Sequence, residues 1–371
     1  MNYKKRIFLV LSCIFLFSIS IIVLNIFINP YGFYGKKQKK IQILNARRLK
    51  LNFIEKSNVN YEAFVLGSSN SMRFNPELIE KKTKLKAYNY GVFYATAEDY
   101  YVLPKLLFEL ETTKQKLILF CLDVFSFRKV VKTHDEVFEG ARNRLSYFPR
   151  ASKYLNDYSD VKLNWFRLKS ALTFEQTSIS LNALYDGNLT NLSFTESYAS
   201  AITNNGCRKK YANFEGKDIT DIAEKGDYQI SKYIERKDIE FLKARNGYKG
   251  IVSVTGNYDF EGLSNRRLRL FEKTIEYLSK KECKVVINIM PVEPYFYSLL
   301  TKRTKHIENV KELTTFCNYL KRKYPNIAIV KDNSQVDSFK GLNNHFFDQY
   351  HPTYKNSNLM IESLKLDQMF F

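Results

Sequence analysis

Residues 116–122 read Lys-Leu-Ile-Leu-Phe-Cys-Leu, apolar at every position after the first. A strand with one wet face alternates apolar and polar side chains; a strand covered on both faces reads as an unbroken apolar run. Residues 284–290, Lys-Val-Val-Ile-Asn-Ile-Met, repeat the pattern and stop at Pro291. Shorter runs at 63–66 (Ala-Phe-Val-Leu, ending at Gly67), 87–90 (ending at Gly91) and 327–330 read as further strands. Between them, helical spacing runs over 76–82, 98–110, 263–280, 310–323 and 356–366. The stretch at 263–280 carries Leu268, Phe271, Ile275 and Leu278 at helical intervals. Buried strands alternating with helices predict an α/β fold: a three-layer sandwich with a mostly parallel sheet.

Residues 128–260 break the rhythm. They are polar and aromatic, hold helical pieces near 161–172, and are punctuated by Gly206, Gly216, Gly226, Gly247 and Gly250. This stretch reads as an insertion or cap over the α/β core, with a separate small domain as the alternative. At the other extreme, residues 7–28 carry no charge. At a helical rise of ~1.5 Å per residue they reach about 33 Å, enough for a bilayer core. A cleaved signal would have a shorter apolar region and a small-residue cleavage site; here Asn29-Pro30-Tyr31-Gly32-Phe33-Tyr34 follows. The plan is therefore a cytoplasmic tail (1–6), a transmembrane anchor (7–29), a juxtamembrane segment (30–58) and a folded domain (59–371). Lys4, Lys5 and Arg6 favour an inside N-terminus, whereas Lys36, Lys37, Lys39 and Lys40 on the other flank argue the reverse. Large domains translocate largely regardless of charge, so charge leaves the side open.

The chain has 371 residues, 45% hydrophobic and 26% charged, a globular composition. Its net charge of +20 asks for an anionic neighbour. The basic residues are spread out, and no helix-turn-helix, zinc-finger or ribonucleoprotein motif accompanies them. A membrane or an anionic surface polymer is preferred over nucleic acid. The five cysteines show no paired spacing, which gives no disulfide framework and no metal site. Cys121 and Cys283, in or beside apolar runs, are expected to be buried thiols. No metal or cofactor is expected.

Two short motifs carry chemistry. Gly67-Ser68-Ser69-Asn70-Ser71 follows the first strand. Ligands of parallel sheets sit beyond the carboxyl ends of strands, where a serine is exposed and backbone N–H groups can hold an oxyanion. Alone it also reads as an ordinary Gly-Ser turn. Asp348-Gln349-Tyr350-His351-Pro352 lies near the other end. An Asp three residues before a His can orient the imidazole, which then takes the proton of a serine. Alone it also reads as a surface turn ahead of the last helix.

In this order, the pair resembles the SGNH-hydrolase (GDSL-like) superfamily. Gly67-Ser68-Ser69 resembles its first block, with Ser68 replacing an Asp, and Asp348-x-x-His351-Pro352 resembles its last. Asn89-Tyr90-Gly91 resembles the second block. An anchor followed by Asn-Pro-Tyr-Gly, together with residues 122–127 (Leu-Asp-Val-Phe-Ser-Phe), is similar to anchored envelope members, among them proteins of alginate O-acetylation and teichoic acid D-alanylation. The resemblance covers about 30–127 and 263–366. It implies a catalytic triad of Ser69, His351 and Asp348, and an oxyanion hole from Ser69, Gly91 and Asn70. It further implies that the domain lies outside the cytoplasm, with O-acyl transfer or ester hydrolysis on a cell-surface polysaccharide or other acylated acceptor, beside a membrane-bound acyl donor protein. The position of the family's third-block Asn holds Asp123, and Asn257 lies within the insertion. A non-catalytic binding module of envelope assembly is the alternative. Arg73, Asp123 and Glu293 are candidate substrate-binding residues. His134 and His306, in polar surroundings, read as surface residues, and His345 lacks the Asp-x-x spacing.

Overall fold

Five strands form one all-parallel sheet in the order β2-β1-β3-β4-β5: β1 Tyr61–Gly67, β2 Ala87–Asn89, β3 Thr113–Leu122, β4 Lys284–Ile289 and β5 Ile327–Asp332. The computed structural model describes residues 3–29, 46–92, 94–111, 113–129, 154, 165, 168–169, 171–186, 260–343, 345–346 and 350–369. By its contacts the chain divides into two units: Met1–Leu49 with Glu139–Ser197, and Lys50–Phe138 with Tyr198–Phe371. The second holds the whole sheet. Residues 50–56, read from sequence as juxtamembrane, group with it: Leu51 and Ile54 are buried, and the buried Lys50 Nζ donates to the Asn89 carbonyl at 2.8 Å.

The helices are α1 (Tyr3–Ile28), α2 (Ala46–Lys56), α3 (Pro76–Thr83), α4 (Ala97–Phe108), α5 (Phe174–Asp186), α6 (Asn265–Lys280), α7 (Pro294–Arg303), α8 (His306–Lys323) and α9 (Tyr354–Ser363). Local chemistry sets their ends. Asn75 caps α3 ahead of Pro76, Thr96 and Asp99 form a capping box on α4, and the Ser264 hydroxyl accepts from the Arg267 N–H at the start of α6. Successive strand residues point to opposite faces. Ala63, Val65, Leu117, Leu119 and Cys121 join a buried cluster with Ile79 of α3 and with Met360 and Ile361 of α9. Phe120, one residue out of phase, meets Tyr100 of α4 and Phe271 of α6 at ring-centroid distances of 5.9 and 5.1 Å.

Strand β3 and helix α7 also differ from the sequence reading. Strand β3 begins at Thr113, and its first half alternates buried and exposed positions before the apolar run takes over. Helix α7 occupies a stretch that read as loop, with Pro294 in its first turn and Glu293 as its cap.

Cys121 and Cys283 are buried, as their apolar settings predict, and burial pushes the Cys283 thiol up to about 12. In the first unit, α1 is long and apolar enough to cross a membrane, with a mean hydropathy of 3.0 over its most apolar window.

Candidate functional site

The sheet order decides where chemistry can happen. Strand β1 lies between β2 and β3; the connection after β1 runs to β2 and the one after β3 runs to β4, in opposite directions, and parallel sheets bind ligands at the carboxyl ends of strands at such a switch point. Gly67 stands beside Cys121 in the pairing of β1 with β3. The loop after β1 carries Ser68–Ser71, and the loop after β3 begins with Asp123.

The first loop is a single 3-10 turn, Ser69–Ser71. The Ser68 hydroxyl accepts from the Asn70 N–H at 3.2 Å, and the Ser71 hydroxyl donates to the Ser68 carbonyl at 2.7 Å. Ser71 fills the space beneath the turn, which explains two glycines. A Cβ at Gly67 would lie 2.5 Å from Ser71 Oγ and 2.8 Å from the Cys121 Cβ; one at Gly91 would lie 2.6 Å from Ser71 Oγ. Ser69 is left half-exposed at the tip while Ser68, Asn70 and Ser71 are buried.

His351 comes from the far end of the chain. Its loop is pinned by a bridge between Phe346 and Pro352 and by the Thr353 N–H donating to the His345 carbonyl at 2.9 Å. Buried Asn356 on α9 accepts from the Leu342 N–H at 2.9 Å and donates to the Leu342 and His345 carbonyls at 2.9 and 3.0 Å. Tyr350 sets its ring edge-on against Phe296 of α7 at 5.1 Å. The outcome is a contact of 2.8 Å between His351 Nε2 and Ser69 Oγ, across 282 positions of sequence. That is hydrogen-bond length for a nucleophile and its base. Asp348 lies outside the described residues. His345, the other histidine nearby, is buried and faces the Thr353 hydroxyl at 3.4 Å.

Asp123 is the other charged group here. Burial pushes its carboxyl up to about 6, against the pull of the Ser68 hydroxyl, the Asn70 amide and the His351 ring. The Asn70 side-chain N–H donates to Asp123 Oδ1 at 2.6 Å. Asn70 therefore aims its amide at the carboxylate, not at a reaction centre. Gly91 is similarly engaged: its N–H donates to Asn89 Oδ1 at 2.9 Å, while Asn89 Nδ2 donates to the Ser71 and Phe74 carbonyls at 2.8 and 2.9 Å. Asn89 thus ties the second loop to the first. The sequence reading named Asn89 as part of the second block but gave a role only to Gly91; an Asn ending a strand two residues before a Gly was the available signal.

The remaining candidates are buried, Arg73 completely. Glu293 accepts from the Phe296 N–H at 2.7 Å as the cap of α7, and burial raises its pKa. His306 is buried against the Tyr297 ring, not at the surface, and desolvation pushes its pKa down to about 4. A cavity of about 190 Å³ opens beside α7, lined by Val292, Tyr297, Ser334, Gln335 and Asn343 among others; neither Ser69 nor His351 lines it. Among the described residues no cluster of His, Cys, Asp and Glu has the makings of a metal site. His134, Cys207 and Asn257 lie outside the described residues.

The arrangement is a half-exposed serine hydroxyl against an imidazole, at the carboxyl ends of parallel strands, with a buried carboxyl behind them. Compared with known proteins, the chain matches no family model and no curated sequence.

Proposed function

We propose that this protein is a membrane-anchored serine acyltransferase or esterase acting on O-acyl groups of a cell-surface polysaccharide. The observation that carries the reading is the 2.8 Å contact between Ser69 Oγ and His351 Nε2. The SGNH-like three-layer sandwich, the Ser69–His351–Asp348 triad and an extracytoplasmic domain working beside a membrane-bound acyl donor protein belong to the same proposal. The net charge of +20 suits an anionic glycan or lipid headgroup.

In this mechanism Ser69 Oγ attacks the carbonyl carbon of an acyl ester while His351 Nε2 takes its proton. The tetrahedral intermediate expels the donor's alcohol, which leaves with that proton. The acyl-enzyme is then attacked by a sugar hydroxyl, giving transfer, or by water, giving hydrolysis; His351 again takes and returns the proton. For Nε2 to accept, the ring must carry its proton on Nδ1, and Asp348 is the group assigned to hold that tautomer. The oxyanion would form against the Ser69 N–H, joined by the Gly91 N–H once Asn89 releases it. An ionised Asp123 would oppose that oxyanion; its raised pKa lessens the conflict.

A second reading, a non-catalytic glycan-binding module, draws on the same loops: Gly91 and Asn70 both spend their donors internally. Fluorophosphonate labelling of the full-length protein in membranes separates the two. The enzyme reading expects a covalent adduct on wild type that Ser69→Ala abolishes. An unlabelled wild type, with the histidine loop intact, would favour the binding module.

A further inference from the structure

Helix α5 is built inside out. A helix of a water-soluble domain buries an apolar stripe and shows polar residues to solvent. Among the described side chains of α5 the buried ones are Gln176 and Ser180, both at 0% exposure, whereas Phe174 is 88% and Tyr185 91% exposed, with Leu181 and Leu184 more than half exposed. Its partner is α1, itself apolar and exposed along most of its length. The one buried residue of α1 is Asn25. Asn25 Nδ2 donates to the Ala171 carbonyl at 2.7 Å and to Thr177 Oγ1 at 2.9 Å. Among the described side chains the seam between the helices is polar and the outside of the pair is apolar.

Water would reverse this arrangement and hydrocarbon favours it. Without water, polar side chains and loose carbonyls must find partners on the neighbouring helix, while apolar side chains lose nothing by facing acyl chains. We propose that α5 is seated in the bilayer against α1, with lipid acyl chains covering Phe174, Leu181, Leu184 and Tyr185. This rests on reading α1 as a membrane helix and is independent of the serine chemistry. Its depth follows from two lengths. Thirteen residues give about 20 Å of helix, short of the ~30 Å hydrocarbon core, so α5 enters one leaflet or lies along its surface and does not cross. Asn25 stands three residues before the end of α1 at Ile28, which sets the seam near the headgroup boundary. Trp165 and Tyr185, both exposed, are the aromatic types that settle at that boundary. The helix has no Lys or Arg, so apolar insertion and not headgroup attraction holds it.

The chain has a single tryptophan, which makes the test direct. In a Trp165→Phe background, one tryptophan is placed at Leu184 in α5, at Phe15 in α1, or at exposed Tyr319 on α8 of the sheet unit. Each full-length variant goes into phosphatidylcholine vesicles with brominated or ordinary acyl chains. Leu184→Trp is expected to lose emission to bromolipid to an extent comparable with Phe15→Trp and to resist iodide. Tyr319→Trp should do the opposite. If Leu184→Trp is quenched by iodide while Phe15→Trp is quenched by bromolipid, α5 lies in water and the proposal falls. Protection of Leu184→Trp from both quenchers means that protein, a second copy or a partner, covers α5, which also overturns it. Escape of Phe15→Trp from bromolipid would remove the anchor reading and this inference with it.

Discussion

The sheet unit and the α1–α5 pair solve the burial problem with opposite signs. Around the sheet, apolar strand residues are buried and polar groups held inside pair at short range in the loops of Ser68–Ser71 and Asn89–Gly91, among them the Ser71 hydroxyl, the Asn89 amide and the Gly91 N–H. In the helix pair, Asn25, Thr177 and Ser180 are turned inward and Phe174, Leu184 and Tyr185 outward. Side-chain polarity has no fixed relation to inside and outside; the surrounding medium decides. The chemistry proposed for the first region rests on a few short hydrogen bonds, while the second exposes apolar side chains of the kind proposed to face hydrocarbon.

The largest effect that would sharpen this division is loss of the serine. Ser69→Ala and His351→Ala should each lower O-acylation of surface glycan, read by mass spectrometry in a complemented deletion strain, by on the order of 10⁴-fold. The double variant should lose little more, because the pair acts as a unit. Ser68→Ala should be milder. Full acylation with Ser69→Ala would empty the site of its chemistry.

The next effect concerns Asp123. Its folded pKa of about 6 lies above the ordinary 3.8. A raised carboxylate favours the folded state below the lower value, and that advantage is lost as pH rises through about 6. A difference of this size corresponds to about 3 kcal/mol. His306 works the other way: its pKa of about 4, against 6.5, costs stability as pH falls between those values. Asp123→Asn should therefore remove the stabilising slope on acidification and leave the destabilising one of His306. Urea midpoints from pH 4 to 7.5 would show it; an unchanged profile would mean that Asp123 titrates normally.

Smaller again is the cost of filling the close approaches over Ser71. Gly91→Ala drives a methyl to 2.6 Å from Ser71 Oγ. Overpacking of this kind costs about 1–3 kcal/mol, read as a fall in thermal midpoint. Wild-type stability would show that the two loops are looser than the bonds of Asn89 suggest. The smallest effect is expected at the seam. Asn25→Leu removes interhelical hydrogen bonds worth about 0.6–2 kcal/mol and should leave turnover of a soluble ester in detergent unaltered. A collapse of turnover there would tie the two regions together.

Legibility followed the same division. The cores of β1, β3, β4 and β5 were readable as apolar runs, and Gly67 and Pro291 marked the ends of β1 and β4. The edges of elements were less so: β3 starts where Lys114 and Lys116 still alternate outward, and α7 hid behind Pro291 and Pro294. Helix α5 was missed although Phe174, Leu181 and Tyr185 fall on one helical face, because the stretch around it has weak periodicity and its described inward positions, Gln176 and Ser180, are polar. At the site, Ser69 and His351 stood out by motif. The Asn70–Asp123 bond depends on β1 lying beside β3, and a strand order is not written in either loop. The same holds for Arg73, whose complete burial nothing in its neighbours announces.

The contact across 282 positions also has a consequence for biosynthesis. All five strands are made before His351, since β5 ends at Asp332. A nascent chain can therefore pair its whole sheet before Ser69 meets His351, and long-range contacts of this kind form late because the loop they close is long. Under the proposed mechanism, the order of synthesis would keep the serine without its base until the last loop is in place.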